Sequence, residues 1–238
     1  MSEYETLADE IVELLGLSVP PVAITFCDAV PDDVDRYRGI YPTPTEDGRT
    51  GAVAAGCVFW AEGQKGTFAT VPEDHGNCSV GSLTHGLITL GEAATRADVK
   101  AVCEAKWVDP EIFPDIPTVA ARPASIMYGP LSESLDEPDV VLLRIMGKQA
   151  MQLHSAVPSL RFEGKPQCHI VAIAKEQGDV AISVGCMLSR VRTGMPNQDM
   201  TCAIPGSKLR AVVAALKSVC EADRSVASYA SEDGKRFA

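Results

Sequence analysis

Apolar residues recur along this chain with two different periods, and the switching between them predicts helices interleaved with strands. Near the N-terminus Leu7, Ile11, Leu14 and Leu15 share one helical face, Ser2 and Glu5 have capping-box spacing, and Gly16 supplies a stop. "PPVAITF" predicts a strand that buries Cys27 or ends at it, and "GTFATV" predicts another. Between them lies a long loop, residues 28–51, and then "AAGCVFWAEG", which suits a short helix or a buried strand equally. Ser79 to Leu90 reads as a helix, and "ATRADVKAVCEAKW" as a second with Val99, Val102 and Cys103 on its apolar side.

A proline-rich connector, residues 110–123, follows, either a seam between lobes or a surface crossover. Beyond it "ASIMYGPL", "PDVVLLRIM", "DVAISVGC" and "MTCAIPG" predict strands, while "KQAMQLHSAV" and "CHIVAIAKEQG" predict helices. The last helix places Leu209, Val212, Val213, Leu216 and Cys220 on one stripe. This interleaving predicts an α/β or α+β fold, a mixed sheet with helices packed on it, without deciding the strand order. "CSVGS" and "SVGC" share three residues, too short a match to signal a repeat.

Charge narrows the partners. Acidic residues outnumber basic ones, 32 to 21, for a net charge of −11, which repels nucleic-acid backbones and anionic membranes. No stretch has the apolar length of a membrane span, and the N-terminus lacks a secretory pattern, so the expectation is a cytoplasmic protein. No apolar stripe demands a homo-oligomer, though none forbids one.

The eight cysteines carry the candidate chemistry. In a reducing compartment each is either a small buried hydrophobe or a working thiol. Cys103 and Cys220 fall on apolar helical stripes, and Cys27 and Cys202 in apolar strand patterns, so all four read as core. Cys57, Cys78 and Cys186 differ, each lying near glycine at the edge of an element, in "AAGC", "HGNCSVG" and "SVGC". Glycine there lets the backbone bend and lets a bulky group approach the sulfur. Cys78 also sits at a helix start, where backbone amides favour a thiolate. Separations of 21 and 108 residues lack the short Cys-x-x-Cys interval of a zinc ribbon or ferredoxin, and by spacing alone three more structural cysteines is the simpler reading.

Ordered motifs shift that balance. "PPVAITF", "CVFWAEG", "CSVGSLTHGL", "PDVVLLRIMGKQAMQL", "SVGCMLSR" and "IPGSKL" together resemble domain of unknown function family 169 over nearly the whole chain, which favours one integrated domain over residues 1–238. The resemblance places Cys57, Cys78 and Cys186 in the family's characteristic segments with Trp60, Gly81, Pro205 and Gly206, and it implies no activity. "DHGNC" and "GCMLSR" depart from the pattern and leave a fourth ligand open.

Three thiols from separate loops suit a four-iron four-sulfur cluster with one open iron, or zinc with an open position. The large separations, and the room given by Gly56, Gly76, Gly81 and Gly185, favour the cluster. The expected function is a small-molecule reductase or a carbon–sulfur or desulfurising enzyme. The alternatives are a non-catalytic zinc or small-ligand module and a metal-free thiol-redox protein. His75, Glu73 and Arg190 are the candidate catalytic groups, as proton carriers and as an anion-binding charge. Asp74, Cys168, His169, His85 and Arg192 are weaker candidates, for which solvation, packing or surface pairing is the plainer reading. No phosphate loop, nucleophile elbow or His-Glu-x-x-His motif occurs.

Overall fold

The structure is a computed structural model that describes residues 2–39 and 56–235. Seven strands form one mixed sheet in the order β2-β3-β1-β4-β7-β6-β5. They are β1 (Val22–Cys27), β2 (Phe68–Thr70), β3 (Ser125–Pro130), β4 (Val140–Ile145), β5 (Arg161–Glu163), β6 (Ala181–Ser183) and β7 (Met200–Pro205). Every pairing is antiparallel except β5 with β6. The connector at 110–123 is a crossover: β3, which follows it, pairs with β1 and β2, which precede it.

The period of two in the strands divides the core between the sheet's faces. Ala23, Val141, Leu143, Cys202 and Ile204 meet α1 (Glu3–Leu15), α6 (Gly147–Ala156) and α9 (Leu209–Gly234) on one face. Val22, Ile24, Val140, Leu142 and Ala203 point the other way, toward α2 (Cys57–Glu62) and α7 (His169–Ala172). α1 begins with the expected reciprocal cap, Glu5 N–H donating to Ser2 Oγ at 3.1 Å and Ser2 N–H to Glu5 Oε2 at 3.0 Å, and ends at Gly16 with φ +63°. α9 buries all five residues of its expected stripe, and the Cys220 thiol donates to the Leu14 carbonyl at 3.3 Å.

Several expectations are corrected. The helix expected from Ser79 to Leu90 stops early: α3 (Ser79–Thr84) ends as His85 leaves the helical region and Gly86 turns with φ +72°. A side chain at Gly86 would lie 2.6 Å from the Val119 carbonyl, so the connector seals this break. α4 (Leu90–Thr95) then starts from its own capping box, Thr89 with Glu92. In α5 (Ala97–Glu104) only Val99 is buried, and Cys103 is half-exposed rather than core. β1 ends at Cys27, likewise only partly buried. "CHIVAIAKEQG" is helical only briefly before it widens into a π turn at Ile173–Gln177. "DVAISVGC" leaves the sheet at Ser183, and Cys186 instead precedes α8 (Met187–Thr193), a helix hidden from the apolar pattern because Met187 and Val191 are exposed. Of the loop expected at 28–51, residues 40–51 lie outside the described residues. Among the described residues no helix is long and apolar enough to cross a membrane.

Candidate functional site

Cys57 is the first residue of α2, Cys78 the residue before α3, Cys168 the residue before α7 and Cys186 the residue before α8. Four thiols from four parts of the chain thus stand at helix starts. They also sense one another. Burial pushes the Cys57 thiol up to about 12, and the neighbouring Cys78 and Cys186 push it further. Cys168 is held well above its ordinary value, first by burial and then by Cys78, Cys186 and Cys57. Cys78 is raised by burial, against which the Arg192 guanidinium and the Gly81 amide favour its thiolate. Arg192 also favours the Cys57 thiolate, so this cation serves two of the four sulfurs.

Short polar contacts hold the loops that carry them. Ser79 donates to Asp98 through its amide (2.8 Å) and its hydroxyl (2.7 Å), pinning the start of α3 to α5. The Ser82 hydroxyl reaches back to the His75 carbonyl at 2.6 Å and the Cys78 carbonyl at 3.0 Å. Gln167 Nε2 donates to Ser189 Oγ at 2.7 Å, and the Ser189 hydroxyl favours the Cys57 thiolate, linking the segments before Cys168 and after Cys186 to Cys57. Gly56 has φ +64°, and a side chain there would meet His85 Cε1 at 3.0 Å, so glycine is needed for Cys57 to start α2 where it does. Gly185, with φ +106°, has the same role before Cys186. Gly76 has an ordinary helical backbone, and Gly81 lies buried inside α3.

The candidate catalytic residues occupy different settings. Glu73 is exposed on a short 3-10 turn. Arg190 spends its guanidinium on carbonyls: Val184 and Asp199, both at 2.9 Å, and Pro196. It is a clamp on the loop before Cys186 rather than a free anion-binding charge. The cation turned toward the thiols is Arg192, which hydrogen-bonds Cys78 and whose buried Nη1 has no hydrogen-bond partner among the described residues. Asp74 receives the Val71 amide at 2.8 Å and lies 3.7 Å from Arg36.

His75, a candidate proton carrier, and His85, read as a packing residue, are both buried, with rings 6.5 Å apart. Thr70 donates its hydroxyl hydrogen to the Ile126 carbonyl, so at 2.9 Å its oxygen accepts a hydrogen bond from His75 Nε2–H, and His75 Nδ1 is left as an acceptor. His85 donates from Nδ1 to the Gly81 carbonyl at 2.8 Å, which leaves Nε2 as an acceptor. Neither remaining nitrogen has a partner among the described residues. Burial lowers both rings, His85 to about 4 and His75 well below its usual value, so both are neutral near pH 7.

In donor chemistry the four thiols suit a thiophilic group: Cys168 lies in electrostatic reach of the other three and Cys57 of Cys78 and Cys186, with the Arg192 guanidinium beside Cys57 and Cys78. Among the described residues no three Cys, His, Asp or Glu side chains already close on a single point as one ion requires. Sequence reasoning gave Cys168 a lesser place because a buried helix start explained it. Cys168 shares its position immediately before a helix with Cys78 and Cys186.

Fold and site together define a mixed α/β protein with four thiols gathered on one face of its sheet. The chain belongs to domain of unknown function family 169, whose model, described as Uncharacterised ArCR, matches residues 10–215 and spans all four cysteines. No curated protein and no solved structure matches the chain.

Proposed function

We propose that Cys57, Cys78 and Cys186 hold a four-iron four-sulfur cluster, with Cys168 as the exchangeable fourth thiol, in an enzyme that reduces a small molecule or handles its sulfur. The observation that carries this reading is the gathering of four thiols at four helix starts beside Arg192. When bound, such a cluster supplies electrons, and a Lewis-acidic iron where one position opens. The protein's part is to present thiolates and to balance their charge. The Gly81 amide at Cys78 and the Arg192 guanidinium at Cys57 and Cys78 favour the ionised sulfurs, while burial opposes ionisation at Cys57, Cys78 and Cys168. Cys168, buried and opposed by the other three thiols, with the Thr84 hydroxyl favouring its thiolate, would be the fourth and most weakly held ligand. Zinc requires sulfurs about 2.3 Å from one point, a closure that these side chains reach only by moving.

The test is anaerobic purification of the full chain, with a visible spectrum and iron, acid-labile sulfide and zinc measured on one sample. Broad visible absorption with matching iron and sulfide is expected, and both are lost in Cys78→Ser. Colourless protein with stoichiometric zinc assigns the thiols to the module reading. Colourless, metal-free protein that also fails to take up iron and sulfide leaves thiol-redox chemistry.

A further inference from the structure

The helices α1, α6 and α9 cover only part of their face of the sheet. Ala23 at the start of β1 joins the core beneath them, whereas Thr25, Cys27 and Met127 on the same face stay half-buried. A cavity of about 360 Å³ opens over that uncovered part, on the face opposite the four thiols. Its floor is Ala23, Thr25 and Cys27 of β1 with Met127 and Gly129 of β3, and its walls come from segments 31–34 and 133–137. The volume lies within the roughly 300–1,000 Å³ of small-molecule sites.

The floor fixes a charge in this space. A side chain at Gly129 would lie 2.2 Å from Thr67 Oγ1, so glycine lets Thr67 fold over β3. The Thr67 hydroxyl donates to Glu133 Oε2 at 2.5 Å, which holds that carboxylate at the cavity and leaves its Oε1 without a partner among the described residues. Asp33 and Asp136 line the same space, and among the described residues neither has an ion-pair or hydrogen-bond partner. Glu137 is shared with Arg210, 3.5 Å away. No Lys, Arg or His lines the cavity, so three of its four carboxylates are unmatched.

The rest of the lining says what kind of cation fits. Among the described residues no three carboxylates close on one point as a metal ion requires, so the negative charge is spread around the space. Between the charges the lining is apolar, with Val34, Met127 and Leu135, and Leu135 is 86% exposed, the most exposed of the large apolar side chains described. The complement is a positive charge carried on a short hydrocarbon chain that covers these side chains. We propose that this cavity binds a small aliphatic amine in its ammonium form, at a site separate from the thiols and independent of the proposed function.

The experiment is isothermal titration of the full chain at constant ionic strength with diaminobutane, butylamine, butanol and butyrate, near pH 7 where both amines are protonated. Saturable binding of one diaminobutane per chain is expected, about fivefold tighter than butylamine because its second ammonium meets a second carboxylate, with no saturable binding of butanol or butyrate. Glu133→Gln keeps an acceptor for Thr67 but removes the charge, and it weakens diaminobutane by about fivefold. Adding Asp33→Asn and Asp136→Asn abolishes saturable binding. All three side chains are exposed, so the variants fold, as matching circular dichroism checks. Bound diaminobutane also slows alkylation of Cys27 on the cavity floor and leaves that of Cys103 in α5 unchanged. Heats that never saturate, or binding that the triple variant retains, reduce the effect to amine on an acidic surface and overturn the proposal. So does butanol or butyrate binding as tightly as diaminobutane, Glu133→Gln binding as tightly as the parent, or Cys27 alkylated at the same rate with and without the amine.

Discussion

Acid should destabilise the metal-free chain through two buried histidines. Both are neutral when folded, because burial holds His85 at about 4 and His75 well below its usual value. The unfolded chain protonates them near 6.5, so their contribution to stability is complete above that value and is lost as pH falls below it. For His85 alone, taking the folded value of about 4, the loss is about 2.5 kcal/mol by pH 4.5, and His75 adds a second proton to the slope. Set against a typical domain stability of about 5–15 kcal/mol, this is a large fraction. Urea unfolding at several values between pH 7 and 4.5 measures it, and His85→Gln should reduce the slope by about one proton, or about 1.4 kcal/mol per pH unit. Imidazole resonances give a second reading that does not depend on a variant folding. Rings titrating near 6.5 in the folded protein, or a stability that changes by less than about 1 kcal/mol across this range, would refute the reasoning.

Three further outcomes follow from the same geometry. Gly56→Ala places a side chain at φ +64° and 3.0 Å from the His85 ring, so a loss of about 2–4 kcal/mol is expected, seen as a melting temperature lower by roughly 5–15 °C. Arg190→Gln frees the carbonyls of Val184, Pro196 and Asp199 and should lower bound iron to less than about half while far-ultraviolet circular dichroism is unchanged, with full iron retention counting against the clamp. Metal uptake should strengthen as pH rises from 6 to 9 with net proton release, because Cys57 at about 12 and the raised Cys78 and Cys168 are protonated in the metal-free chain; a buffer-dependent calorimetric titration that detects no released protons contradicts it.

How far the sequence foretold this molecule depends on how local each signal was. The capping box at Ser2 and Glu5 and the stripe from Leu209 to Cys220 involve neighbours within a few turns, and both elements form as the pattern predicts. The strand order did not follow from the pattern, because the antiparallel pairing of β4 with β7 joins segments separated by long stretches of chain. α8 and β5 escaped notice for a different reason. Each is short and exposes apolar residues, Met187 and Val191 in one and Phe162 in the other, so neither shows a buried period. At the site, glycine flanks drew attention to Cys57, Cys78 and Cys186, and the positive φ of Gly56 and Gly185 gives that signal a backbone cause. Cys168 has no such flank, and only the fold shows that it lies near the other three. The exchange of roles between Arg190 and Arg192 was equally illegible. One residue separates them in the chain, yet one is turned onto backbone carbonyls and the other toward sulfur.

The claim that four thiols form one site is tested most directly by counting them chemically. Anaerobically purified full-length protein is alkylated before and after removal of bound metal, and each cysteine is quantified by peptide mass spectrometry. With both alkylations carried out in urea, the account predicts that Cys57, Cys78, Cys168 and Cys186 stay unlabelled together in the loaded protein and become reactive together once metal is chelated, while the half-exposed Cys103 is labelled in both. If Cys57, Cys78 or Cys186 is labelled in the loaded protein as readily as Cys103, or if metal removal changes none of the four, the four-thiol site is contradicted.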